Sequence, residues 1–160
     1  MNENETLIEK FYNAFKQSDY ATMHDCYHPD IEFRDPLFQL KGIKAKAIWH
    51  MLLEKKGDPN SRTFEGIQAD DHTGKVHWEA KYVFPKTGRH VHNKIDAEFV
   101  FKDGRIIKHH DDFDLYKWTQ MAIGPVGLVL GWISFFQNKV RQGGQHTLKQ
   151  FVQKHAEYQP

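Results

Sequence analysis

The chain has 160 residues, 39% of them hydrophobic and 14% aromatic, with a formal net charge of +1. This is enough apolar material for one packed domain without disulfides or metals, and the balanced charge, with no basic block, argues against a nucleic-acid partner. The single Cys26 rules out an internal disulfide and fits a reducing compartment. The acidic, amphipathic start MNENETLIEKFYNAF lacks the character of a signal peptide, so a cytoplasmic location is expected.

Leu7, Ile8, Phe11, Ala14 and Phe15 recur at helical spacing and predict an amphipathic helix over residues 4–17. Ser18 and Asp19 cap a second short helix, whose apolar face carries Met23, Cys26 and Tyr27 and which ends at His28-Pro29-Asp30. Ile31 and Phe33 alternate with Glu32 and Arg34 in a short strand stopped by Asp35-Pro36. Gly42 opens a third helix, with Ile43, Ala47, Ile48, Met51 and Leu52 on one side, and Gly57-Asp58-Pro59-Asn60 breaks it.

From there the period changes to two. Strands are predicted over Phe64–Ala69 and Val76–Phe84, the second with Trp78, Ala80, Tyr82 and Phe84 on one face. After a hairpin loop at Pro85–Arg89 comes a long strand. One of its faces carries Val91, Asn93, Ile95, Ala97, Phe99 and Phe101, the other His90, His92, Lys94, Asp96 and Glu98. The last strand runs from Ile106 to Leu115. Helices first and an antiparallel meander after them make an α+β domain, with three helices packed on one face of a curved antiparallel sheet.

This order resembles the nuclear-transport-factor-2-like, or SnoaL-like, superfamily over about residues 5–120. The resemblance rests on Phe11-Tyr12-Asn13-Ala14-Phe15 followed by Asp19, on Tyr27-His28-Pro29-Asp30 with Phe33 and Asp35-Pro36, on Gly42, and on FVFKDGRII from Phe99 to Ile107. It implies a conical half-barrel around an apolar pocket, with residues 1–120 as the domain and 121–160 as an extension covering the pocket or a partner subunit. Members include ketosteroid isomerases, polyketide cyclases, dehydratases and epoxide hydrolases, and also proteins that only bind or assemble, so fold alone does not fix function.

The resemblance puts Asp35 where isomerase-like members carry a general base. At an apolar pocket mouth a carboxylate can be raised in pKa and take a proton next to a carbonyl. The competing reading is turn chemistry at Asp-Pro. Strand parity turns Ile107 and Phe113 inward and puts His109 and Asp111 on the same face, a potential proton-transfer pair. A register shifted by one would turn His110 and Asp112 inward instead. Asp114 falls on the outer face as a helix cap. Trp49, Tyr82, Asn93, Phe99 and Phe113 are the expected pocket lining. An isomerase-type oxyanion hole is missing, because by the resemblance its Tyr position falls on Phe11 and by parity its Asp position falls on Ala97; a one-residue shift would put Asp96 there, and Tyr12 and Tyr82 could substitute only in a differently arranged cavity. The epoxide-hydrolase pattern needs an arginine between two carboxylates, and Arg34 and Arg105 should point away.

Eleven histidines show no spacing suited to zinc, so His90, His92, His110 and Asp112 read as a polar outer face and neither metal nor cofactor is expected. The first functional reading is a cofactor-independent acid–base enzyme of isomerase, cyclase or dehydratase type acting on a carbonyl or polycyclic compound. The alternatives are a non-catalytic protein that binds a small lipophilic molecule, and an assembly module. A homodimer through the outer sheet face is expected. The uncharged run MAIGPVGLVLGWISFF, residues 121–136, is read as a lid over the cone, ahead of packing on a partner subunit or resting on a membrane surface.

Overall fold

The computed structural model describes all 160 residues. Helix α1 (Glu3–Lys16) opens with a capping box: the Asn2 side chain accepts from the Glu5 N–H, and the Glu5 carboxylate accepts from the Asn2 N–H. Its buried face is Ile8, Phe11, Tyr12, Ala14 and Phe15. Asp19 caps α2 (Tyr20–Cys26) by accepting from Thr22 N–H. Helix α3 (Ile43–Leu52) follows Gly42, whose φ of 59° lies in the left-handed region that favours glycine.

Six strands, β1 (Tyr27–Arg34), β2 (Gln39–Lys41), β3 (Arg62–Ala69), β4 (Thr73–Val83), β5 (His90–Lys102) and β6 (Arg105–Asp112), form one sheet in the order β2-β1-β6-β5-β4-β3. The sheet is mixed, not wholly antiparallel, because β1 runs parallel to β6 with Phe33 opposite His109. Hairpins dictate antiparallel pairing only between strands they join directly, and none joins β1 to β6. Strand β1 also begins earlier than the His28-Pro29-Asp30 signal suggests. It tolerates Pro29, which has no N–H to give, because its register with β6 breaks between Tyr27 and Glu32. The three-residue β2 carries too little pattern to be read from sequence.

A second irregularity corrects the strand parity. Val100 pairs with Lys108 but Phe101 pairs with Ile106, so Ile107 is the extra residue of a bulge. Ile106, fully buried, enters the core in place of Ile107. Leu115 does not end β6 but opens α4 (Leu115–Ile123), which Asp114 caps by accepting from Lys117 N–H. Two more helices follow, α5 (Pro125–Leu130) and α6 (Ser134–Gln153), and then a single 3₁₀ turn at Ala156–Tyr158.

The helices and the inner sheet face enclose one main core, to which Leu148, Phe151 and Tyr158 of the C-terminal stretch belong. A smaller cluster of Val91, Leu115, Trp118 and Ala122 sits at one end of the sheet. The outer face is polar: His77 bonds Asp96 at 2.8 Å and Glu79 at 3.1 Å, and His92 bonds Glu79 at 2.6 Å.

Candidate functional site

The inner face carries a chain of hydrogen bonds that crosses the core. The Trp49 indole N–H donates to the Tyr27 hydroxyl oxygen at 2.8 Å, and that oxygen lies 2.7 Å from His109 Nδ1. His109 Nε2 is 2.8 Å from Asp111 Oδ1, which also accepts from Trp78 Nε1 at 3.2 Å. An indole only donates, so the Tyr27 O–H is left to donate to Nδ1, and His109 presents Nε2–H to the carboxylate. Every donor in the chain therefore points toward Asp111. The relay is dry: His109 is 1% exposed and Asp111 2%.

Asp35 stands one step beyond β1. Phe33 pairs with His109 and Arg34 with His110 in parallel register, so the continuation of β1 brings Asp35 alongside Asp111. Its Oδ1 accepts from the backbone N–H of Leu37 and of Phe38, both at 2.7 Å, which builds the turn after Pro36. Burial pushes its carboxyl up to about 7, and the charge of Asp111 adds to the rise against the pull of those two N–H bonds. The turn role and a perturbed carboxyl thus coexist in one residue. Both Asp35 bonds fall on Oδ1, as do both Asp111 bonds, leaving the second oxygen of each carboxyl outside the protein's own hydrogen bonds.

Of the residues expected to line a pocket, Trp49 and Phe99 are packed inside the core instead. Trp49 stacks on the His109 ring at 5.9 Å, and Phe99 lies 4.6 Å from it, centroid to centroid. Their large flat side chains fill the space between helices and sheet, where they hold His109 in place. Tyr82, Asn93 and Phe113 lie toward the Asp35 end. Tyr82 is 38% exposed and its hydroxyl accepts from Trp118 Nε1 at 2.8 Å. Phe113 bridges the two apolar clusters. Asn93 is 8% exposed. His110 and Asp112 face the other way, where His110 meets Arg34. Two clefts, of about 290 and 640 Å³, open on that outer side. Neither is lined by Asp35 or Asp111.

Sequence reading missed Tyr27 and Trp78 and weighed Tyr12 only as a substitute donor. Trp78 shares strand parity with Tyr82, which was the available signal. The Tyr12 hydroxyl is buried with no partner, and the charge of Asp111 reaches it, raising its pKa on top of the effect of burial. Away from this site, His50, His155 and Glu157 bring ligand-type atoms within 4.8 Å of one another. The His50 ring bonds Tyr158 Oη at 2.8 Å and the His155 ring bonds the Phe151 carbonyl at 2.9 Å. This is the cluster with a donor set suited to a metal, and it is remote in sequence from the spacings considered above.

The sequence profile of the SnoaL-like domain matches residues 8–109, well over half of the chain. The chain belongs to the SnoaL-like domain family. No curated protein matches it in sequence. Among solved structures, the SnoaL-like chain is similar to an LEH-like epoxide hydrolase from M. tuberculosis, with 23% identity, a TM-score of 0.57, and 81% of this chain and 96% of that one covered. It is similar to a SnoaL-like polyketide cyclase from Jannaschia sp. CCS1, with 15% identity, a TM-score of 0.62 and coverage of 77% and 93%. It is also similar to TerC co-crystallised with polyporic acid, with 15% identity, a TM-score of 0.61 and coverage of 75% and 98%. At these identities the likeness is one of fold. No guanidinium sits between the two carboxyls of the SnoaL-like site: Arg34 and Arg105 are exposed, and Arg141 is turned to the Pro36 carbonyl and Asn138.

Proposed function

We propose that this SnoaL-like protein is a cofactor-independent acid–base enzyme acting on a small lipophilic carbonyl or polycyclic compound. The observation that carries the reading is the pair of carboxyls, one on β6 and one just past the end of β1, each with one oxygen committed to the protein and one left over. Their surroundings differ: Asp35 sits in an apolar setting that favours its neutral form, whereas Asp111 is bonded to the Trp78 N–H and the His109 ring. Two carboxyls treated oppositely by their environment can divide acid and base roles at neutral pH. Asp35, titrating near 7, takes and returns the proton beside a substrate carbonyl. His109 with Asp111 is the second proton carrier, and Tyr27 and Trp78 hold that pair in position.

Substrate would enter at the Asp35 end, among Tyr82, Asn93 and Phe113. The C-terminal extension serves as cover there: Arg141 donates to the Pro36 carbonyl at 2.7 Å, and Gly144 lies against the Phe38 ring. A protein of this fold co-crystallised with polyporic acid supports the choice of ligand class. The homodimer through the polar outer face belongs to the same reading. A non-catalytic binding protein is the second reading, favoured by the complete burial of the His109 side chain.

The test is solvent deuterium exchange at carbon next to the carbonyl in a panel of aromatic ketones and quinones, followed by NMR, with binding measured in parallel. Wild-type exchange lost in a folded, ligand-binding Asp35→Asn variant supports the enzyme. Exchange retained in that variant removes Asp35 from the mechanism. Binding without wild-type exchange favours the binding protein.

A further inference from the structure

Helix α5 is built inside out. Gly127 and the C-cap Gly131 form its packed face: a Cβ on Gly127 would collide with the Thr119 carbonyl, and one on Gly131 with Thr119 Oγ1. The Tyr116 hydroxyl of α4 donates to the Leu128 carbonyl at 3.0 Å and the Gln137 amide of α6 to the Gly131 carbonyl at 2.7 Å, which ties the segment to both helices. With its glycines against the protein, the segment turns its large side chains outward. Val126 is 50% exposed, Leu128 57%, Val129 64%, Trp132 69% and Phe135 69%. A soluble surface rarely gathers so many large apolar side chains in one stretch.

We propose that residues 125–135 dock on the surface of an anionic lipid bilayer and lie in its interface. The charge around the patch argues for this occupant. From Leu115 to Ala156 the sequence contains no aspartate or glutamate, and Lys139 and Arg141 follow the patch in the first turns of α6. Lys139 Nζ sits 4.8 Å above the Phe135 ring, so a cation borders the apolar side chains directly. Arg89 flanks the other end, donating to the Met121 carbonyl at 3.0 Å beside Gly124. An exposed aromatic–aliphatic patch rimmed by cations matches the boundary between acyl chains and anionic headgroups. A second copy of the chain fits the same patch poorly, because a twofold contact would set these cations against themselves. No helix is long and apolar enough to cross a membrane, so the contact lies in the interface.

The experiment uses the full-length protein and vesicles of phosphatidylcholine, alone or with a third phosphatidylglycerol. Trp49, Trp78 and Trp118 are buried, so brominated lipid should quench Trp132 alone. The expected result is co-sedimentation with the anionic vesicles, weakened by salt, with quenching that Trp132→Phe removes while sedimentation persists. A folded Leu128→Ser/Trp132→Ser/Phe135→Ser variant should lose binding, and Lys139→Gln should weaken it roughly fivefold. No sedimentation with anionic vesicles overturns the proposal. Concentration-dependent self-association that the triple variant abolishes also overturns it, by assigning the patch to another copy of the protein.

Discussion

Replacing Asp35 by asparagine tests the electrostatics of the site without substrate. The folded protein holds this carboxyl at about 7 against an ordinary value of 3.8. Between those values the folded chain keeps a proton that the unfolded chain has released. The stabilisation from that proton is therefore fully present below pH 4 and is lost as pH rises through 7. A rise of about three pH units corresponds to ~4 kcal/mol, and some hydration of the partly buried carboxyl lowers this to about 2–4 kcal/mol. Asparagine keeps an oxygen for the Leu37 and Phe38 N–H groups but never ionises. The variant should match wild type at pH 4 and exceed it at pH 8, by roughly 5–15 °C in melting temperature for a chain of this size. Thermal melts of both proteins at the two pH values decide the matter. An equal gap at both pH values, or a variant less stable at pH 8, would refute the reasoning.

Tyr27→Phe should cost about 2–4 kcal/mol in urea denaturation, because it leaves the Trp49 N–H and His109 Nδ1 unpaired in the core. A cost below about 1 kcal/mol would mean that the network repairs itself. Gly127→Ala should lift α5 from α4, since its Cβ would collide with the Thr119 carbonyl. Limited proteolysis should then cut near residue 130 much faster than in wild type, and an unchanged rate would count against the packing described. The protein should not efficiently isomerise a β,γ-unsaturated ketosteroid: Phe11 and Ala97, both buried, offer no donor to an oxyanion, and one missing donor costs about 10²–10³ in rate. Turnover near the diffusional ceiling would overturn that expectation.

Much of this architecture was written locally in the sequence. The Asp19 cap, Gly42 and the alternation of β4 and β5 each act over a few residues, so spacing reveals them. The inward side of β6 was also legible at His109 and Asp111, which the structure buries, but not at Ile107, where the bulge swaps in Ile106. A bulge depends on how two strands pair, and no single strand carries that information. The same limit hid the parallel β1–β6 pair and with it the nearness of Asp35 to Asp111. The placing of Trp49 and Phe99 depends on how wide the cone is, which is set by packing across the sheet rather than by either residue's neighbours. Tyr27 was assigned to a helix face, and its role in the relay appears only when β6 lies beside it.

The parallel pairing of first strand with last governs when the protein becomes whole. Arg34 and His110 meet across 76 positions of chain, with the entire β3–β5 meander between them. On a ribosome, β1 and α1–α3 emerge long before β6, and until then the edge of β1 that β6 will pair has no neighbour. Such long-range closure is a slow step in folding, since the loop entropy is spent before the contact rewards it. Nascent chains halted before about residue 112 would hold Phe33 and Asp35 without their partners. They are the species in which this strand edge is open to chaperones or to aggregation.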